Sequence, residues 1–263
     1  MAIVGGILLV IGAVLFFVRL SQLKKLTAIR AARRSTVNEL TTIASAVAQD
    51  IGAGSWQDYV KVYGEVQCDQ PLQSQVKQVD CAYFTTTVTR KYEEIVTEKD
   101  DAGKTTRKTV EKTDIVSQQK LSTPFWLIDD TGKVSVHPED AEIETVKILS
   151  EFRPEQGEAG RISLGGFSLN LGQQMAGQGR TLGYQYEESI LPIGREALVI
   201  GMATDVTKKL TIRKPSDRKN KFIVSLKTEG ELTQGIDKSA KQTFYGMLGC
   251  VGAGVILLVM GAL

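Results

Sequence analysis

The sequence predicts an α+β protein: a mostly β soluble domain held between two terminal transmembrane helices. Three observations predict it. Residues 1–18 (MAIVGGILLVIGAVLFFV) carry no charge, residues 246–263 (GMLGCVGAGVILLVMGAL) carry none either, and between them apolar residues alternate with polar ones across many short runs. Alternation with period two is the mark of a half-buried strand, whereas a helix repeats every three or four residues.

The first run would cover about 27 Å as a helix, close to the hydrocarbon thickness of a bilayer. A cleaved secretory signal fits it less well, because charges follow the run and no small-x-small site closes it. The expectation is a transmembrane helix over 1–20 and a juxtamembrane helical stem over 21–55. At the other end a second transmembrane helix is expected over 244–263, with Phe244 and Tyr245 where ring side chains settle at the headgroup level. Gly246, Cys250 and Gly254, spaced by four, let another helix backbone approach, so packing on the first span or on a neighbouring subunit is expected.

Two spans put the intervening chain on one side of the membrane. Arg19, Lys24, Lys25, Arg30, Arg33 and Arg34 crowd the inner flank of the first span, which the positive-inside rule assigns to the cytoplasm. The same residues suit a solvated helix face and would favour an anionic leaflet.

Within the stem, Val37, Leu40, Ala44, Val47 and Ile51 form one apolar stripe, predicting a helix over about Val37–Ile51. Thr36 and Glu39 have capping-box spacing at its start, and Gly52 or Gly54 suits its exit. A β-rich domain is expected over 56–235, then a linker over 236–243. YVKVYGEV opens the alternation, and Ala82, Phe84, Thr86 and Val88 continue it. Between Arg90 and Asp114, charges of both signs interleave with Thr and Val around the turn sequence DDAGK. This reads as a long exposed β-hairpin whose charge defends its edges. Its tip residues Lys99, Asp101 and Lys104 are candidate contacts for a partner or sister subunit.

TPFWLIDDTGKVSVHP reads as a second, tighter hairpin turning at Asp130–Lys133. From Gly157 to Gly183 eight glycines interrupt the chain, yet Ile162, Leu164, Phe167, Leu169 and Leu171 alternate. Apolar residues in a glycine-rich surface loop point to contact with another subunit or the bilayer, so Leu164, Phe167 and Leu169, with Trp56, are candidate contacts. VIGMATDV loosely echoes VYGEVQCD, which suggests a repeated small barrel-like unit.

Chemistry is sparse. With 32 basic and 30 acidic residues the net charge is +2, too little for a chain-wide field that would gather nucleic acid. Cys68, Cys81 and Cys250 with His137 cannot build a four-ligand zinc site. Cys68 and Cys81 are compatible with a disulfide or with two buried thiols. GGFSL lacks a nucleophile elbow, and the glycine-rich stretch lacks a Walker-type GK[ST]. No catalytic residue, cofactor or metal is expected.

The ordered set GEV at Gly64, CDQPL at Cys68–Leu72, CAYF at Cys81–Phe84, TPFWL at Thr123–Leu127, FRP at Phe152–Pro154 and YEESILPIGREALVIG at Tyr186–Gly201 resembles a known family. It is similar to the beside-a-membrane domain of the Mulan or GIDE ubiquitin ligases. The resemblance implies structural roles for Pro124, Phe125, Glu187, Glu188, Leu191, Gly194 and Gly201. Adjacent strand residues face opposite ways, so Glu187 and Glu188 cannot form a shared dyad, and a turn or buried hydrogen bond is expected of them. In that family the ligase chemistry belongs to a zinc-binding RING after the second span, and the cysteines and histidines for one are missing here, so activity is not expected to carry over. The resemblance also implies a RING-less prokaryotic-type relative, and a domain on the external face, against the charge bias. The functional expectation is a non-enzymatic membrane scaffold, a homo-oligomer. The alternative is an adaptor that recruits another membrane or membrane-associated protein, or a lipid.

Overall fold

The computed structural model describes residues 2–99, 105–155, 161–170, 179–206 and 209–262. In chain order the elements are α1 (Ala2–Ala31), β1 (Arg33–Arg34), α2 (Val37–Ile51), β2 (Gln57–Gln67), β3 (Leu72–Gln73), β4 (Asp80–Lys99) and β5 (Thr105–Ser122). There follow β6 (Phe125–Asp129), β7 (Gly132–Val136), β8 (Glu142–Ile143), β9 (Val146–Pro154), β10 (Arg161–Leu164) and β11 (Phe167–Asn170). The last are β12 (Arg180–Pro192), β13 (Glu196–Thr204), β14 (Thr211–Arg213), β15 (Ile223–Ser225) and α3 (Glu229–Ala262). The fold is mostly β between two terminal apolar helices. It divides into two units: unit 1 holds Met1–Gly64, Leu127–Ile143 and Glu196–Leu263, and unit 2 holds Glu65–Trp126 and Glu144–Arg195.

Unit 1 is built on a closed ring. β2 pairs with β6 on one side and β13 on the other, and the order β2-β6-β7-β14-β13 returns to β2. β7 and β14 run parallel and β13 and β14 antiparallel. Numbered along the chain, the ring strands lie in the order 1-2-3-5-4, the connectivity of an OB-type Greek-key barrel, in which closure removes the exposed edges of an open sheet. VYGEVQCD and VIGMATDV therefore lie on or just after two neighbouring strands of one ring, not in two repeated units. Their shared glycines are both places of close approach. A Cβ on Gly64 would sit 2.5 Å from the Ile128 carbonyl oxygen, and one on Gly201 2.9 Å from Ile212 Cγ2 and the Phe222 ring.

β13 is buried on both faces through Ala197–Gly201, which is why ALVIG is a continuous apolar run. Leu198 and Ile200, with Ile223 of β15, pack against Ile29 and Ala32 at the C-terminal end of α1 and against Leu232 and Ile236 of α3. The barrel is thereby fastened to the helical stem.

α1 runs unbroken from Ala2 to Ala31, so the first apolar run and the start of the stem are one helix. α2 covers the residues that its stripe predicts, and its capping box is present: Thr36 Oγ1 accepts from Glu39 N–H while Glu39 accepts from Thr36 N–H. α3 corrects the expected linker at 236–243, which is helical. Its start is fixed by a second capping box, Thr228 with Glu231, more than three turns ahead of the apolar run. The turn in the second hairpin is also tighter than expected, with β7 beginning at Gly132.

Unit 2 is an antiparallel sheet in the order β3-β4-β12-β9, with β5 also on β4. The β10–β11 hairpin lays Ile162 and Phe167 on a core with Val76, Val88, Leu149, Tyr184 and Tyr186, and Leu164 and Leu169 pack against it. A smaller cluster joins Cys81, Phe84 and Ile190.

Candidate functional site

In the absence of any metal-holding group of three or more His, Cys, Asp or Glu among the described residues, the chain's distinctive surfaces are its apolar helix pair and a strand edge. α1 and α3 are each long and apolar enough to cross a membrane. They pack antiparallel in unit 1. A Cβ on Gly254 would meet the Gly5 carbonyl oxygen at 3.1 Å, and one on Gly12 would meet Val251 Cγ2 at 2.7 Å. Backbone approach this close needs residues without side chains, and dispersion contacts between helices reward it. Gly254 thus packs on the first helix and Gly246 faces Leu15 at ordinary contact distance, while Cys250 is half-buried. On α1 the small positions are Gly5, opposite Gly254, and Gly12, opposite Val251, and their seven-residue spacing is a helical-face signal in the sequence. Away from this seam Ile3, Val10, Phe17, Tyr245, Ile256 and Met260 are exposed, the surface that a bilayer would cover. At the inner end the Arg19 guanidinium lies 4.1 Å from the Phe244 ring centroid, a cation–π contact, and Gln22 Nε2 donates to Ser239 Oγ at 3.1 Å.

The strand edge belongs to unit 2. β4 pairs with β12 only as far as Glu93↔Arg180, but with β5 from Tyr83↔Ser122 out to Lys99↔Thr105. Among the described residues, 94–99 and 105–110 therefore form a two-stranded ribbon that outruns the sheet. Among the described residues, β4 is the strand partner of β5 from Thr105 to Ser122, with a bulge at Val116, leaving its other edge open. Glu94 at the base of the ribbon pairs with Lys112 of β5, Ile95 is exposed on the ribbon at 68%, and Ile115 further along β5 is exposed at 64%. Lys99 ends β4, and Asp101 and Lys104 lie outside the described residues.

The sheet that carries the ribbon is pinned by Glu188. This carboxylate is fully buried, and it accepts from Val76 N–H at 2.7 Å, Lys77 N–H at 2.9 Å, Ser74 Oγ at 3.1 Å and Thr86 Oγ1 at 3.1 Å. Four donors replace the lost water. Its neighbour Glu187 points the other way, to an exposed ion pair with Lys147. Leu191 and Phe125 are buried and Pro124 is exposed. Gly194 takes a positive φ of 71° in the turn from β12 to β13, where its N–H reaches the Val66 carbonyl.

Two expectations change. Trp56 is 8% exposed, and its N–H, with that of Gly54, donates to the Asp205 carboxylate; it anchors the start of β2 and offers no docking surface. Phe167 is 4% exposed, and Leu164, Phe167 and Leu169 cover unit 2's own sheet, because the glycines let this segment fold back as a hairpin. Cys68 and Cys81 are free thiols. Burial, then the nearby Asp69 carboxylate, pushes Cys68 up to about 11. Burial, then Glu188, likewise pushes Cys81 up to about 11. Both are protonated at neutral pH and poor nucleophiles.

A family model described as GIDE, E3 ubiquitin ligase, matches residues 93–259. It spans the ribbon, all of β12, the barrel's second to fifth strands and most of α3. No curated protein and no solved structure matches the chain. With more than half of its length covered by that model, the chain belongs to the GIDE family.

Proposed function

We propose that the protein is a two-pass membrane scaffold whose copies associate through the open edge of β5. The observation that carries this reading is the 18-residue strand with one partner among the described residues. Unpaired N–H and C=O groups in such a row are satisfied by water or by a further strand, and a second copy supplies one of the same length. The charge of both signs along β4 and β5 suits self-recognition, because an antiparallel pairing can place acidic against basic residues.

The soluble units lie on the cytoplasmic side in this reading, supported by the basic cluster from Arg19 to Arg34. The external face, implied by the family resemblance, is the alternative, and protease protection in sealed vesicles distinguishes the two. Ligase activity is not part of the proposal.

Light scattering on gently solubilised protein, corrected for detergent, tests the scaffold. A uniform oligomer is expected. Replacing residues 95–109 by Asn-Gly keeps the β4–β12 ladder and shortens β5, and should lower the mass. A wild-type monomer would sink self-assembly and favour the adaptor reading.

A further inference from the structure

We infer that unit 1 carries a binding site for the phosphate headgroup of an anionic membrane lipid, in the cleft between α1 and the loop that joins β14 to β15. The inference rests on the reading of α1 as a membrane span. The cleft has a volume of about 850 Å³, and its walls include Leu20, Leu23, Lys24, Arg218, Lys219 and Lys221. Leu20 and Leu23 are more than a third exposed, so an apolar floor meets a basic rim.

Charge accounting leaves this rim uncompensated. Of the nearby acids, Glu142 is held by Lys25 at 2.7 Å and by Lys221 at 3.6 Å. Burial works to raise the Glu142 pKa, but these two lysines outweigh it and keep the carboxyl below its ordinary value. Asp140 pairs with Lys214. Asp217 turns its carboxylate onto the Lys219 N–H at 2.9 Å, and its carbonyl accepts from Asn220 N–H. That turn presents Arg218 and Lys219 outward. Among the described residues Lys24, Arg218 and Lys219 form no ion pair within 4.0 Å, so three cations share one cleft without an anion.

Depth selects the occupant. The uncharged part of α1 ends at Val18. At 1.5 Å per residue, Leu20 stands about 3 Å and Lys24 about 9 Å beyond it, spanning a headgroup layer about 5–7 Å thick. A lipid there could lay acyl chain against Leu20 and Leu23 while its phosphate meets the cations. A soluble anion would leave the apolar floor wet. Each cation near an anionic surface contributes about a fivefold gain in affinity, so three give about a hundredfold.

The experiment uses the full chain reconstituted in nanodiscs of phosphatidylcholine with a minor fraction of phosphatidylglycerol, followed by native mass spectrometry of retained lipids. Wild type should retain phosphatidylglycerol well above its share of the bilayer. The variant Lys24→Gln/Arg218→Gln/Lys219→Gln should lose that preference by about a hundredfold. Lys77→Gln/Lys147→Gln/Arg195→Gln, with the same change in net charge and outside both the cleft and β5, should keep it. Equal retention by all three proteins, or loss in both variants, overturns the site, as does displacement of the lipid by inorganic phosphate. Alkaline carbonate extraction of native membranes separates the two ideas: release of the wild type would refute the membrane-spanning reading itself, whereas a firmly embedded protein with no anionic preference refutes the lipid site alone.

Discussion

Lys61 on the second β-strand donates to Glu229 Oε1 at 2.5 Å, and its ammonium also reaches the Ile29 carbonyl at 3.3 Å. One buried cation thus meets the carbonyl end of the first helix and the acidic first turn of the last. The free carbonyls at a helix C-terminus attract positive charge, and Glu229 suits a helix N-terminus.

Removing Lys61 should loosen the barrel from the stem. The Lys61 side chain is 10% exposed and Glu229 36%, so water can reach the orphaned carboxylate, and the cost falls short of a fully buried pair. Lys61→Met should cost about 1–3 kcal/mol, read as a lower midpoint of thermal unfolding in detergent. An unchanged midpoint would mean that the contact is replaced by solvent without loss.

Glu188→Ala strands four donors in a dry interior, two of them backbone N–H groups, and should cost about 3–5 kcal/mol. Glu188→Gln keeps the shape with one accepting oxygen and should cost less, about 1–3 kcal/mol. The order Ala worse than Gln is the informative result in chemical denaturation. Equal losses would mean that volume matters and the hydrogen bonds do not.

Asp129 gives the protein an acid-sensitive joint. Burial works to raise its pKa, but hydrogen bonds from Thr131, from Val37 N–H and from the N–H groups of Thr131 and Gly132 outweigh it and hold the carboxyl below its ordinary 3.8. A depressed folded-state value contributes stability that is present above 3.8 and is lost as pH falls through the folded value. Wild type should therefore be more stable than Asp129→Asn at pH 7. The gap should close as pH drops below 3.8, measured as unfolding midpoints across pH. A gap that persists in strong acid would contradict the assignment.

Gly254→Leu should separate the two apolar helices, since any side chain there meets the Gly5 carbonyl and Leu9 within 3.2 Å. Gly249→Leu is the control, because nothing lies within 4 Å of a Cβ at that position. The first should lower the thermal midpoint in detergent and the second should leave it near wild type. Equal behaviour would place the helix seam elsewhere.

The sequence by itself determined what short-range physics decides. Uncharged runs of bilayer length mark both apolar helices, the three-and-four stripe with Thr36 and Glu39 bounds α2, and alternation around DDAGK marks the ribbon. Each is settled within a few residues by hydration, capping or turn chemistry. The start of α3 is equally legible in the capping-box pair Thr228 and Glu231, which lies well ahead of the apolar run. Tertiary structure decided the rest. Whether Trp56 and Phe167 face solvent depends on Asp205 and on a sheet assembled from segments up to 150 residues away in the chain. The closure of β2 on both β6 and β13, the placing of Glu188 among donors from residues 74–86, and the meeting of Lys24 with Arg218 and Lys219 all arise from pairings between distant segments. A strand's pattern says that it has a buried face; it does not say which distant strand will cover it.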